Sequence, residues 1–189
     1  MAKLVILDRD GVINVYREHG VRNPGDLELL PGSATAIARL NRAGIAVAMA
    51  TNQSIIGRGV IGEDELTAIH RYLFDLLARE DAHIDLACVC CDPPDATSAR
   101  HKPGPAMLDE AMRCLGATSS ETIVIGDGLD DIEAAASAGC ARILVRTGTG
   151  ARVQAAGIPD WVLPISVHVD LAAAVAAILG DHGLKTDVA

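Results

Sequence analysis

The stretch Lys3-Leu-Val-Ile-Leu-Asp8-Arg-Asp10-Gly-Val-Ile-Asn14 decides the fold, because two carboxylates stand directly at the end of a short apolar run. Lys3 to Leu7 is too short for a helix and too apolar for an exposed strand. It reads as a central parallel strand bounded by Gly11. Open α/β sheets bind ligands just beyond the carboxyl ends of their strands, which puts Asp8 and Asp10 on the ligand crevice. Carboxylates this close repel one another unless a cation neutralises them or one carries a proton. Mg²⁺ suits that role, since it takes oxygen ligands and is often held by one or two carboxylates plus substrate phosphate. The alternative is an Asp-Gly turn carrying two solvated acids.

Beyond this strand, strand-like and helix-like patterns alternate, the signature of βαβ units and a mostly parallel central sheet. Val15 to Pro31 is a polar loop; Ser33 can cap a helix to about Arg42, and Gly44 ends it. Ile45 to Ala50 forms a second buried strand that delivers Thr51-Asn-Gln-Ser54 to the crevice edge. Glu63 to about Asp81 is an amphipathic helix with Leu66, Ile69, Leu73 and Leu77 along one face. Ile84 to Cys91 is a third strand, followed by a loop from Asp92 to Pro103. A helix runs from Pro105 to about Cys114, and Thr122 to Ile125 is the fourth strand. Gly126-Asp-Gly-Leu-Asp-Asp131 leads into an Ala-rich helix. Arg142 to Val145 is a fifth strand, Trp161 to Leu163 a short sixth, and Val169 to about Leu179 a closing helix. The expected organisation is a Rossmann-like three-layer α/β fold, one domain over 1–180 with a tail at 181–189.

Composition bounds the partners. A chain of 189 residues with 50% hydrophobic content supports one packed core, and with 2% aromatic residues that core must be aliphatic. The formal net charge of −9 and the lack of any basic block argue against nucleic-acid or membrane-surface binding. No apolar run approaches a membrane span, the first strand begins too early for a signal peptide, and five cysteines suit reduced thiols, so a cytoplasmic protein is expected. No heptad or exposed aromatic patch argues for assembly, so a monomer is expected.

Four strand ends thus bring polar groups to one crevice: Asp8 and Asp10; Thr51 and Asn52; Lys102; and Asp127 with Asp130 and Asp131. Any one of them taken singly reads as an ordinary turn, but their order and placement together resemble the haloacid-dehalogenase-like superfamily of aspartate-nucleophile phosphatases. Leu30-Pro-Gly32, Ala50-Thr-Asn-Gln-Ser54, Arg58-Gly59 and Lys102-Pro-Gly-Pro-Ala-Met107 narrow the resemblance. They point to the branch containing D-glycero-D-manno-heptose 1,7-bisphosphate phosphatase and the histidinol-phosphate phosphatases. Members of that branch lack a large cap domain. The resemblance implies hydrolysis of a small phosphorylated metabolite, a sugar bisphosphate or histidinol phosphate, with Mg²⁺ as cofactor. A non-catalytic binding protein on the same fold is the alternative of a different class.

By the same resemblance Asp8 is the nucleophile that becomes an aspartyl-phosphate, and Asp10 the general acid and base. Thr51 and Lys102 hold the phosphoryl group. Asp8, the backbone carbonyl of Asp10 and Asp127 hold the metal, with Asp131 in support. Substrate contacts are expected from Arg9, Asn52, Gln53, Ser54, Arg58, Arg100, His101 and Gly128. The loops Val15 to Val21, Ser54 to Val60 and Cys90 to His101 set specificity. A bisphosphate would need a second cationic subsite, from Arg58 and Arg100, whereas the amine of histidinol would favour an acid such as Glu18 or Asp92.

The chain departs from the family in those loops. The family commonly holds a structural zinc with Cys-x-His and Cys-x-Cys pairs, where this sequence has Cys90-Cys-Asp92 and Ser98-Ala-Arg100. One thiolate, a carboxylate, a serine and an arginine do not make a soft tetrahedral site, so zinc is expected to be absent. A rearranged site from Cys88, Cys90, Cys91 and His101 is the alternative. His101 stands in place of a substrate-recognising arginine, Tyr16 in place of an Asp, and Ile55 in place of a Gly. All three bear on substrate choice rather than on the catalytic core.

Overall fold

Side-chain alternation along the first strand organises the molecule: Val5 and Leu7 enter one core, Leu4 and Ile6 the other, so both faces of the sheet are covered. The computed structural model describes residues 2–93, 95–96 and 98–180. Its strands are β1 (Leu4–Leu7), β2 (Ala46–Asn52), β3 (Leu86–Cys90), β4 (Thr122–Gly126), β5 (Ala141–Val145) and β6 (Ser166–His168). Its helices are α1 (Ser33–Arg42), α2 (Ser54–Gly57), α3 (Glu63–Ala78), α4 (Ala106–Leu115), α5 (Leu129–Ser137), α6 (Gly150–Ala156) and α7 (Leu171–Ile178). All strand pairs are parallel, in the order β3-β2-β1-β4-β5-β6.

One core joins Val5, Leu7, Val47, Met49, Ile125 and Val145 to Ile37 and Leu40 of α1, Ile69, Leu73 and Leu77 of α3, and Val175 of α7. The opposite core joins Leu4, Ile6, Ala48, Ala50 and Val124 to Met107, Leu108 and Ala111 of α4 and Ala134 and Ala135 of α5. The result is a three-layer α/β fold with no large cap inserted between its elements among the described residues. Chain order reverses between β1 and β4, and at such a switch point the flanking connections leave in opposite directions and open a crevice. Asp8 follows β1 and Asp127 follows β4, so the first and fourth strands place their carboxylates on either side of it.

Several boundaries differ from the sequence expectation. Trp161 to Leu163, expected as the sixth strand, lies in a 3-10 turn at Asp160–Val162, and β6 is Ser166–His168, paired to β5 through Ile143 and Ser166. Pro159 and Pro164 flank the expected segment, and neither has an N–H for a ladder. Ser33 does not cap α1: Gly32, at φ 77°, is the cap, and Ser33 Oγ is buried without a hydrogen-bond partner. α7 starts at Leu171 because Asp170 accepts from the Ala173 N–H at 2.8 Å. The tail expected at 181–189 lies outside the described residues.

Candidate active site

Lys102 is the hub of the crevice. Its ammonium is buried and donates to Asp8 Oδ1 at 2.9 Å, to the Ala50 carbonyl at 2.9 Å and to Asp131 Oδ1 at 2.5 Å. Those partners come from the ends of β1 and β2 and the first turn of α5, so one cation ties three elements together. Asn52 holds the lysine from behind, accepting from its backbone N–H at 3.1 Å and donating to its carbonyl at 3.2 Å. Asp131 is engaged at both oxygens, because its second oxygen accepts from the Gly128 N–H at 3.0 Å and so caps α5.

One ammonium does not balance the carboxylates around it. Asp8, Asp127 and Asp131 offer oxygens within 4.8 Å of one another. Burial pushes the Asp8 carboxyl up to about 6, an effect that Lys102 opposes and Asp131 adds to. Burial and the charges of Asp8 and Asp131 raise Asp127 to about 8. Burial would lower the pKa of Lys102, but Asp131 and Asp8 outweigh it and hold the ammonium charged. The donor set is all oxygen, buried and over-charged, which fits a hard divalent cation. Asp8, Asp127 and Asp131 all offer oxygens to it, and because both oxygens of Asp131 also accept, from Lys102 and Gly128, Asp8 and Asp127 are the better placed.

Asp127 is tightly enclosed. Its Oδ2 accepts from the Thr149 N–H at 2.6 Å, and the Thr149 hydroxyl donates to its carbonyl at 3.0 Å. A Cβ on Gly148, at φ 56°, would meet Asp127 Oδ2 at 2.1 Å, so only glycine lets the backbone pass there. Thr147 Oγ1 donates to the Gly11 carbonyl at 2.6 Å, fixing the same loop to the turn after β1.

Asp10 is held at both oxygens. Asn14 Nδ2 donates to Oδ1 at 2.8 Å; Arg9 Nη2 and Gln53 Nε2 donate to Oδ2 at 2.7 and 2.9 Å. Gln53 also donates to Thr51 Oγ1 at 2.8 Å, leaving that hydroxyl its own proton to give.

A cavity of about 390 Å³ opens over these groups, floored by Asp8, Asp10, Thr51, Lys102 and Asp127 and walled further out by Arg17, Glu18, Arg22 and Arg58. Asn52, Gln53, Ser54 and Gly128 also line it, as the sequence predicts for substrate contacts. Asn52 and Gln53, however, use their amides to hold Lys102 and Asp10. Three expected substrate residues do not line it. Arg9 is buried, because its guanidinium turns inward to Asp10 and His70. Arg100 turns away, donating to the Val89 carbonyl at 2.9 Å and to Glu110. His101 is bonded to Ser54 Oγ at 3.1 Å and to the Lys102 carbonyl at 2.8 Å, behind the wall. The outer cations are therefore Arg17 and Arg22 together with Arg58, in place of Arg100.

Around the cysteines, Cys90 Sγ lies 3.5 Å from Asp92 Oδ2. Burial raises the Cys88 thiol to about 11 and pushes Cys90 and Cys91 upward, so none is a thiolate at neutral pH.

Thr149, Gly148, Asn14 and His70 are site residues that sequence reasoning missed. Thr147-Gly-Thr-Gly150, one residue past the end of β5, carries the same strand-end signal as the other loops and could have been found that way. His70 sits within a helix and carries no such signal.

A family model described as hydrolase, haloacid dehalogenase-like hydrolase matches residues 2–139. Among curated proteins, a D-glycero-beta-D-manno-heptose-1,7-bisphosphate 7-phosphatase of Bordetella bronchiseptica is 40% identical over 178 residues, 94% of this chain and 98% of its own. The Pseudomonas aeruginosa protein of the same description is 38% identical over 176 residues, 93% of this chain and 97% of its own. Among solved structures, the B. bronchiseptica D,D-heptose 1,7-bisphosphate phosphatase complexed with magnesium and phosphate superposes with a TM-score of 0.89 at 39% identity, covering 95% of this chain and 99% of that one. A putative HAD-like phosphatase from Mesorhizobium loti has a TM-score of 0.78 at 30% identity, covering 97% and 88%. With four carboxylates and a buried lysine gathered at the switch point of a parallel sheet, and with relatives at this identity along nearly its whole length, the chain is a phosphatase and belongs to the haloacid dehalogenase-like hydrolase family.

Proposed function

We propose that the protein removes the 7-phosphate of D-glycero-D-manno-heptose 1,7-bisphosphate through an aspartyl-phosphate on Asp8, with Mg²⁺ as cofactor. The observation that carries the chemistry is Lys102 bridging Asp8 and Asp131 beside Asp127, an anion-binding and cation-binding site in one crevice. Asp8, Asp127 and the backbone carbonyl of Asp10 would hold the ion, and Asp131 would orient a metal-bound water or Lys102. Mg²⁺ bound there offsets the repulsion between carboxylate and phosphate and neutralises charge on the phosphoryl oxygens.

An Asp8 oxygen attacks phosphorus while the bond from phosphorus to the ester oxygen breaks. Asp10, in its acid form, gives its proton to that leaving oxygen. Lys102 and the Thr51 hydroxyl hold the transferring phosphoryl oxygens. A water then attacks the phosphorus of the aspartyl-phosphate, Asp10 takes its proton, and the bond to Asp8 breaks to release phosphate. The two steps restore both carboxyls.

The substrate is argued from the outer wall and the relatives. Arg17, Arg22 and Arg58 supply the second cationic region that a bisphosphate needs, and the curated relatives are described as heptose-1,7-bisphosphate 7-phosphatases. Of the acids that would suit the amine of histidinol, Glu18 lines the cavity and Asp92 does not. The chain is taken to act as a cytosolic monomer with one domain over residues 1–180. Zinc has no part in this scheme, supported by an arginine and a carboxylate standing where soft ligands would be needed.

The test is phosphate release with Mg²⁺ from both anomers of the heptose bisphosphate, from histidinol phosphate and from sugar monophosphates, with Asp8→Asn as control. Preferential turnover of one heptose anomer, abolished in Asp8→Asn, is expected. Faster turnover of histidinol phosphate would replace the substrate assignment, and turnover retained in Asp8→Asn would overturn the nucleophile.

A further inference from the structure

Arg9 is wholly buried, so its charge and its donors must be met inside the protein. Nη2 is met by Asp10 Oδ2 at 2.7 Å. Nη1 is met from an unexpected quarter, by Nε2 of His70 at 3.1 Å, in the first half of α3 and 61 residues away in sequence. An arginine can only donate, so Nε2 must be the accepting nitrogen and Nδ1 must carry the proton. Burial, and then the Arg9 charge, hold His70 down to about 4, so the imidazole keeps that lone pair at neutral pH. Arg9 Nε has no partner, which leaves the two terminal nitrogens as the points that fix the guanidinium.

We propose that His70 is a positioning residue for catalysis: it anchors the Arg9 guanidinium, and the guanidinium in turn aims the Asp10 carboxyl at the leaving oxygen. Given the acid role proposed for Asp10, its direction matters as much as its proton. Asn14 and Gln53 also hold the carboxyl, but among the described residues it is the Arg9 contact that links it to His70 and so to α3. Without the imidazole, Nη1 loses its acceptor in a buried place, and the guanidinium turns to find another, taking Asp10 Oδ2 with it. Misplacement of a reacting group by about 1 Å can cost roughly a hundredfold in rate.

The test separates aim from folding by leaving-group chemistry. Protonation matters for the poor alkoxide of a sugar phosphate and little for the nitrophenolate of p-nitrophenyl phosphate, and kcat/KM reports this first step. His70→Leu is expected to lose roughly ten- to a hundredfold on heptose 1,7-bisphosphate and less than about threefold on p-nitrophenyl phosphate. His70→Gln, whose amide oxygen reaches the position of Nε2, is expected to restore most of the loss. Arg9→Met should repeat the His70→Leu pattern and serves if that variant does not fold. Equal losses on both substrates, no loss, or no rescue by Gln would overturn the inference. Asp10→Asn, run alongside, tests the premise: a wild-type ratio between the substrates in that variant would overturn the acid role and His70's part with it. The pattern in Asp10→Asn without it in His70→Leu and Arg9→Met would overturn His70's part alone.

Discussion

Replacing Lys102 with methionine should destabilise the protein in a pH-dependent way, because it removes the one ammonium inside a cluster of carboxylates. At an effective dielectric of about 20, a pair at the 2.9 Å separation of Lys102 and Asp8 attracts by about 6 kcal/mol, and the Asp131 contact adds a comparable amount. Desolvating the ammonium offsets most of that gross attraction. Breaking a buried pair by removing one partner leaves a net cost of about 3–5 kcal/mol. For a chain of this size that is a fall of about 10 °C in Tm. The sign with pH comes from the stranded acids. Asp8 already sits at about 6 and Asp131 is also pushed up by burial, and Lys102 opposes both shifts, so its loss raises the two further above their unfolded values. The folded variant then binds protons that the unfolded chain has released, so its stability falls as pH rises from the unfolded carboxylate range through the folded values. Thermal melts of wild type and Lys102→Met in chelator should therefore differ by several degrees at about pH 5.5 and by about 10 °C or more at about pH 8. Turnover should fall at least about a hundredfold, given the proposed role of the group in holding the phosphoryl oxygens. A deficit independent of pH, or one that shrinks as pH rises, would refute the electrostatic account.

The same raised carboxyls make the metal-free protein pH-sensitive. With EDTA present its stability should fall between about pH 5 and pH 8.5 by on the order of a few kcal/mol, read as a falling Tm, while saturating Mg²⁺ should flatten the slope and add a concentration-dependent stabilisation. A melt insensitive to Mg²⁺ at every pH would count against a metal at Asp8 and Asp127. Gly148→Ala places a methyl 2.1 Å from Asp127 Oδ2 at a positive φ. Displacement of the carboxylate should weaken apparent Mg²⁺ affinity roughly tenfold or more, a loss of the size seen when the supports of a metal ligand are disturbed. Calorimetric titration with Mg²⁺ would show it, and unchanged affinity would mean that the loop yields instead of Asp127.

The functional strand ends were legible because each is a local signal. A buried parallel strand is a short apolar run, and the residues directly after it must lie at the carboxyl edge of the sheet. Asp8, Thr51 and Asp127 could therefore be assigned to one crevice from their neighbours alone. The false sixth strand at Trp161 to Leu163 failed for the complementary reason: an edge strand of three residues is defined by its partner, and Ser166 to His168 becomes one only by lying against β5.

The chemistry at the strand ends was thus set by the order of residue types along the chain, whereas the direction of each side chain was not. Arg9, next to Asp8 in sequence, could equally have faced the substrate. It faces inward because α3 packs its His70 against the end of β1. Arg100 is drawn off to Glu110 on α4, and Gln53 bends back to hold Asp10 and Thr51 instead of a ligand. A residue's period and neighbours are properties of the chain, but the partner for a buried charge or an amide comes from whichever distant element packing brings within about 3 Å, and only the assembled layers decide that.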